Sequence, residues 1–351
     1  MSTLLHTLHL AAANPEDIAH AAKLLRDGRL VAFATETVYG LGANALSAAA
    51  VAGIFHAKQR PSWDPLIVHI ASADQIGAIT DLTPELTERV QALAAAFWPG
   101  PLTLLLPRSA AVPETVTAGL PLVGVRVPAH PAAQALLIAA GLPIAAPSAN
   151  LFGHTSPTTA AHVLSDLSGV IDAVLDAGPT NLGLESTVVD PTQTPMVLYR
   201  PGAITPSELT AVTGVPVHIY RPVAETRRTA SANHEGLPSP GVGLRHYAPR
   251  ATLHLTGPTS VDLNASLTEA LHQAPTARIG VILPTGWRLD HHVLTESWAD
   301  WNDPAALAAR LFACLRTLDD RGATLILCPL PAPGGLADAM RDRLEKAALS
   351  N

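Results

Sequence analysis

The chain has 351 residues, enough for about two domains at roughly 150 residues each. Its 48% hydrophobic and 15% charged residues exclude wholesale disorder, which needs low hydrophobicity and high net charge. A net charge of −7, from 22 basic and 29 acidic residues, excludes a broad basic face for nucleic-acid backbone and leaves room only for a local basic pocket.

Lys occurs only at Lys23, Lys58 and Lys346. This Arg-, Ala- and Pro-rich bias is a mark of base composition, so a Lys kept inside a motif draws notice. Two cysteines, Cys314 and Cys328, build neither a disulfide framework nor a four-Cys zinc site and fit a reducing compartment. Residues 1–13 lack the basic n-region of a signal peptide. The longest apolar candidate, 90–106, is broken by Pro99, Gly100 and Pro101, so no membrane span is expected. The expectation is a soluble cytoplasmic protein.

From the N-terminus, Leu4 to Ala11 reads as a strand. Asn14-Pro15-Glu16-Asp17 then gives a helix start: a capping Asn, Pro at the first helical position and two acids at the positive end of the dipole. Gly28 stops that helix and Arg29 to Thr35 is the next strand, running into Glu36-Thr37-Val38-Tyr39-Gly40-Leu41-Gly42. Helices are expected at Ser47–His56, Pro84–Phe97 and Pro131–Ala140. Strands are expected at 66–71, 102–106, 122–127, 144–146, 170–176, 186–190 and 196–200. Connections of both hairpin and crossover length imply a mixed sheet with helices. Seven prolines between Pro201 and Pro249 mark a semi-stiff linker. Beyond it, strands at 252–255, 278–283 and 324–328 alternate with helices at 263–273, 304–318 and 336–348, the pattern of a small parallel α/β domain. Trp298 and Trp301 are expected to pack, and the His291-His292 and His6/His9 pairs lack metal-ligand spacing.

Several short segments could carry chemistry. Hydroxyls and glycines in 35–42 let the backbone approach a small ligand, although an ordinary Gly turn has the same look. Lys58 and Arg60, within Lys58-Gln59-Arg60-Pro61, can clamp a polyphosphate, or simply favour a helix C-terminus. Pro147-Ser148-Ala149-Asn150 follows an apolar strand, where α/β folds place ligand contacts and also turns. Ser156-Pro157-Thr158-Thr159 reads as a helix cap, and the Ser156 hydroxyl could serve both as cap and as ligand contact. Arg126 lies inside an apolar strand and needs an anion, either a structural carboxylate or a substrate. Glu185-Ser186-Thr187-Val188 enters a strand and Arg200-Pro201-Gly202 leaves one. The linker holds a dense cluster from Ser239 to Pro249, including Arg245, His246 and Tyr247.

Taken together, these segments resemble the YrdC/Sua5 family of L-threonylcarbamoyladenylate synthases. The resemblance rests on TETVYGLG (35–42), KQRP with DPLIVHI (58–61, 64–70), WPGPLT (98–103), VGVRVP (123–128), PSAN with SPT (147–150, 156–158), ESTVVD (185–190) and YRPG (199–202). The SPG…RHYAP segment and the following α/β unit resemble the long, two-domain Sua5 form.

The resemblance implies an α/β fold: an N-terminal YrdC-like mixed twisted sheet with helices and a concave ligand pocket, plus a small C-terminal Rossmann-like parallel α/β domain. The implied boundaries are 1–205, a linker at 206–250, and 251–351. The implied reaction joins L-threonine, bicarbonate and ATP, with Mg²⁺, into threonylcarbamoyl-AMP and pyrophosphate. The product passes to a tRNA threonylcarbamoyl transferase complex for t6A modification beside the anticodon. No tight direct nucleic-acid binding and no membrane partner are expected. Lys58 and Arg60 take the catalytic role. ATP is contacted by these two and by Asp64, Leu122, Ser148, Asn150, Ser156, Arg200, His246 and Tyr247. Threonine is surrounded by Thr37, His69, Arg126, Ala146 and Ser186. No dedicated metal ligands are implied, because Mg²⁺ is carried mainly by ATP.

The chain departs from the family pattern at Ala34 (usually Pro), Asp64 (usually Asn), Leu122 (commonly Thr) and Val242-Gly243-Leu244, which replaces a bulkier, more basic linker core. Any ATP contact at Leu122 must therefore run through the backbone. Two other readings compete: carbamoyl transfer in hydrogenase maturation, and a double-stranded-RNA or ribosome-binding YrdC-like module. The first lacks its acylphosphatase and Cys-rich extensions here, and the second lacks the positive charge.

Overall fold

In a computed structural model of the chain, the described residues are 6–221, 239 and 247–349. The chain divides into two compact units. The first comprises Met1–Phe152, Pro157–Asn181 and Glu185–Gly243; the second comprises Gly153–Ser156, Leu182–Leu184 and Leu244–Asn351.

In the first unit, β1 (Leu8–Ala11) leads to α1 (Pro15–Arg26), whose cap is Asn14 accepting from the Glu16 N–H, as the sequence predicts. The strand β2 (Val31–Ala34) follows. Its apolar run has no polar alternation because both faces are covered. Val31 and Phe33 pack with α1 and with α5 (Pro131–Ala140), while Ala32 and Ala34 face the larger core on the other side. That larger core takes Val51 and Ile54 from α2 (Ala48–Lys58), Val90 and Leu93 from α3 (Pro84–Phe97), and Val163 and Leu167 from α6 (Ala160–Leu167).

The remaining strands of this unit are β3 (Tyr39–Asn44), β4 (Ile67–His69), β5 (Leu102–Pro107), β6 (Leu122–Arg126), β7 (Ile144–Ala145), β8 (Ala173–Asp176), β9 (Thr187–Asp190), β10 (Met196–Arg200) and β11 (Val217–Ile219). A short helix, α4 (Glu114–Thr117), precedes β6. The sheet order is β1-β8-β2-β3-β7-β4-β6-β5-β9-β10-β11. Parallel pairs such as β4·β6 and β5·β9 alternate with antiparallel ones such as β2·β3, β5·β6 and β9·β10, giving the mixed sheet expected.

Two details differ from the sequence reading. Residues 39–44 form a full strand rather than a turn. The hairpin into it is closed by Thr35, whose hydroxyl donates to the Val38 carbonyl at 2.6 Å. Residues 206–219 belong to the sheet unit rather than to a linker. Pro206 opens α7 (Pro206–Thr213) behind a Thr205/Glu208 capping box, Gly214 closes it in a left-handed cap, and β11 pairs in parallel with β10. Prolines that look like linker markers act here as a helix start and a strand lead-in.

The second unit has β12 (Thr252–Thr256), α8 (Ser260–Gln273), β13 (Ile279–Leu283), β14 (Leu294–Ser297), α9 (Pro304–Asp320), β15 (Leu325–Pro329) and α10 (Leu336–Ala347). Its sheet is parallel throughout, in the order β12-β15-β13-β14. Leu263 and Leu267 of α8 pack on Ile279, Val281 and Leu327. A Cβ at Gly280 would lie 3.0 Å from Leu318 of α9, so that glycine lets the helix approach the strand closely. The edge strand β14 escapes the sequence reading because its side chains alternate between half-buried and exposed. Trp298 is buried, donates from its indole N–H to the Leu307 carbonyl at 2.7 Å, and meets Trp301 edge-on.

Candidate active site

The polar side chains of the first unit gather where strands end. Lys58 is the last residue of α2 and only 1% exposed. Gln59 turns the chain away with φ 51°. The Lys58 Nζ donates to the Ser148 carbonyl at 2.6 Å and to the Asn150 carbonyl, so the segment after β7 wraps the ammonium. The Phe152 N–H returns to the Lys58 carbonyl at 2.9 Å. Asn150 is buried and donates from its side chain to the Leu151 carbonyl. A burial this deep excludes the reading of Lys58 as a solvated helix end.

Arg60 is held in the turn after Lys58. Its Nε donates to the Asp64 carbonyl at 3.2 Å and its Nη2 to the Pro65 carbonyl at 2.8 Å, while the Asp64 carboxylate pairs with it at 3.0 Å. Burial pushes the Asp64 carboxyl up, opposed by the positive fields of Arg60, Lys58 and Arg200. Asp64 therefore sits buried against Arg60, within the fields of Lys58 and Arg200.

Arg200 ends β10. Its Nε donates to the Ser186 carbonyl at 2.9 Å and its Nη2 to the Ser186 hydroxyl at 3.0 Å. That hydroxyl also lies 2.7 Å from the Thr103 hydroxyl on β5. The antiparallel β9·β10 pair brings Ser186 and Arg200 together although 14 residues separate them.

Arg126 ends β6 beside the turn before β5. Its Nε donates to the Gly100 carbonyl at 3.1 Å and its Nη1 to the Thr37 hydroxyl at 2.9 Å. Its Nη2 pairs with the Glu36 carboxylate at 2.6 Å. The anion that the sequence reading required for Arg126 is thus present within the chain, at Glu36. His69, at the end of β4 and in register with Arg126, is buried with its ring edge-on to Phe33. Burial, and then the Arg126 charge, push its imidazole down to about 3, so it is neutral. Ala146 is buried and its N–H donates to the Ile67 carbonyl, two residues before His69 on the same strand. Leu122 is half-buried at the start of β6, opposite Pro107.

Ser156 and Tyr247 fall in the second unit. Ser156 is fully buried, and the cap of α6 is Thr159 instead. Tyr247 has φ 65° and is buried, its ring stacked on Phe312 at 5.9 Å with the Arg343 guanidinium 5.1 Å above it. His246 and Val242-Gly243-Leu244 lie outside the described residues.

Comparison with known proteins decides the family. Residues 23–202 match the Sua5/YciO/YrdC family, described as telomere recombination, and residues 204–349 match the C-terminal domain of threonylcarbamoyl-AMP synthase. The chain is 41% identical over 333 residues to the threonylcarbamoyl-AMP synthase of Pyrococcus abyssi, covering 93% of each. It is 41% identical over 342 residues to that of Bacillus subtilis, covering 96% of this chain and 94% of the relative. The crystal structure of Pyrococcus abyssi Sua5 complexed with L-threonine superposes with a TM-score of 0.84 at 38% identity, covering 97% of each chain. The chain belongs to the threonylcarbamoyl-AMP synthase family, in its two-domain Sua5 form.

For a chain of this family, the sequence reading omitted Glu36 and Thr103, both buried and both touching the residues it named. The signal for Glu36 was available: a lone acid in an otherwise uncharged hairpin, matched to a lone Arg in an apolar strand. Pairing them requires the sheet, which brings the hairpin after β2 to the end of β6 although the two are far apart in sequence. Among the described residues, no group of three or more His, Cys, Asp or Glu side chains could hold a metal ion, and no helix is long and apolar enough to cross a membrane.

Proposed function

We propose that this chain condenses L-threonine, bicarbonate and ATP into threonylcarbamoyl-AMP and pyrophosphate. The observation that carries the reading is the near-full-length similarity, over both domains, to relatives named threonylcarbamoyl-AMP synthase. The wrapping of the Lys58 ammonium by the Ser148–Asn150 segment, with Arg60 in the turn that follows Lys58, supports it. Mg²⁺ enters as part of the MgATP substrate.

In this reading the threonine amine captures the carbon of bicarbonate, water leaves, and a carbamate oxygen attacks the α-phosphorus while pyrophosphate departs. Every reactant is anionic or becomes so. Catalysis therefore rests on charge neutralisation and positioning rather than on a protein nucleophile. Lys58, Arg60 and Arg200 offset the phosphate charge, with Ser148, Asn150, Asp64, Ser156 and the Leu122 backbone around the nucleotide. Thr37, His69, Arg126, Ala146 and Ser186 surround threonine. The resemblance assigns His246 and Tyr247 to ATP as well. The product is passed to a tRNA threonylcarbamoyl transferase complex for t6A formation in the cytoplasm.

The test is pyrophosphate release that depends on both threonine and bicarbonate. Lys58→Ala and Arg60→Ala should each lower it by roughly a hundredfold or more, the scale of lost transition-state electrostatics, with an unchanged circular-dichroism spectrum. Undiminished turnover in both variants would contradict the site.

A further inference from the structure

The threonine side of the candidate site holds a carboxylate that the proposed chemistry has not used. Glu36 is 7% exposed, and neither of its carboxylate oxygens makes a hydrogen bond of standard geometry. Oε1 is ion-paired with Arg126, and the backbone N–H groups of Glu36 and Ala129 lie near the carboxylate without completing a hydrogen bond of standard geometry. Burial opposes the charged form, but Arg126 and the nearby backbone N–H groups of Glu36 and Ala129 outweigh it, and the carboxyl lies below its ordinary range. Glu36 is thus a buried carboxylate held in its ionised form, whose oxygens still lack a hydrogen bond of standard geometry. Leaving such an acceptor unsatisfied costs stability unless a ligand completes it.

Arg126 shows the complementary deficit. Of its five N–H bonds, one on Nε, one on Nη1 and one on Nη2 are directed at Gly100, Thr37 and Glu36. One N–H remains on each terminal nitrogen. The pair together is electrically neutral. A simple carboxylate entering this buried place would add an uncompensated negative charge next to Glu36. A ligand with one carboxylate and one ammonium would leave the charge balanced and fill both open positions.

We propose that Glu36 accepts the α-ammonium group of the amino acid substrate, so that Arg126 and Glu36 form a two-ended site for a zwitterion. This rests on the reading of Arg126 as the partner of the threonine carboxylate. It makes Glu36 a specificity residue for amino acids over plain hydroxy acids, and it holds the amine, the atom that must capture carbon dioxide, at a fixed place beside Thr37.

Calorimetric titration of the full chain with L-threonine and with 3-hydroxybutanoate, which is threonine without its amine, tests this. The wild type is expected to bind threonine and to bind 3-hydroxybutanoate far more weakly. Glu36→Gln should weaken threonine roughly tenfold or more, the scale of a lost charge-assisted hydrogen bond. The same variant should bind 3-hydroxybutanoate as well as the wild type or better, with ATP binding unchanged. Equal weakening of both ligands would reduce Glu36 to a holder of Arg126 and overturn the proposal, as would undiminished threonine binding. If Glu36→Gln does not fold, Glu36→Asp serves, because withdrawing the carboxylate by one methylene should separate the two ligands in the same sense. Arg126→Ala should lose both ligands. Retained threonine binding there would instead overturn the underlying site reading.

Discussion

His69 illustrates what burial does to one side chain. Its imidazole is 4% exposed, its Nδ1 has no hydrogen-bond partner, and burial with the neighbouring Arg126 charge brings its pKa to about 3. An unfolded chain would protonate this ring near 6.5. Between those values the unfolded state binds the extra proton, so stability rises with pH through the window and is lost as pH falls below about 6.5. At pH 5 the loss comes to about 2 kcal/mol. Urea unfolding at pH 7.5 and pH 5 should therefore show a steeper fall for the wild type than for His69→Gln, and equal falls would contradict the buried neutral ring. Residue types and spacing were enough to single out Lys58, Arg60, Arg126, Ser148 and Arg200. They could not pair Arg126 with Glu36 or Ser186 with Thr103, because those contacts come from strand order. In the sequence Asp64 stands out only as a departure from the family's usual Asn. In the fold it is the counter-ion of Arg60.

At the scale of elements, the site depends on how closely β9 and the turn after β10 approach. A Cβ on Gly202 would lie 2.4 Å from the Thr187 N and 2.8 Å from the Ser186 carbonyl carbon. Gly202→Ala must push the start of β9 away and with it the Ser186 hydroxyl that Arg200 and Thr103 share. The expected cost is about 1–3 kcal/mol, as for overpacking generally, together with weaker threonine use. Gly77→Ala, where nothing lies within 4 Å, should change stability by no more than roughly 0.5 kcal/mol. A Gly202→Ala variant as stable and active as the wild type would show that the turn is not tightly fitted. Element legibility followed the same physics. Strands such as 102–106, buried on both faces, read clearly as apolar runs. The strand at 39–44 did not, because Gly40, Gly42 and Asn44 carry low strand propensity. Gly42 is there because its neighbours leave no room: a Cβ would meet Ile144 and Phe33 at 2.9 Å.

At the scale of the molecule, length alone suggested two domains, and the chain does form two compact units. The division is not a simple cut. The second unit includes Gly153–Ser156 and Leu182–Leu184, short segments that interrupt the stretch of chain forming the first unit. Gly183, at φ 70°, shows why: a Cβ there would lie 2.5 Å from the Ala308 carbonyl of α9. Such recruitment leaves no trace in composition or periodicity, whereas the run of prolines after residue 200 is plain in the sequence. The central claim is that one catalytic unit joins threonine, bicarbonate and ATP. Its most direct test is to incubate the full chain with MgATP, ¹³C-bicarbonate and L-threonine and to analyse the products by mass spectrometry. The account predicts a threonylcarbamoyl-AMP ion that carries one ¹³C and disappears when threonine or bicarbonate is omitted or when Lys58 is replaced by Ala. ATP turnover that yields no such adduct, or an adduct independent of threonine, would contradict it.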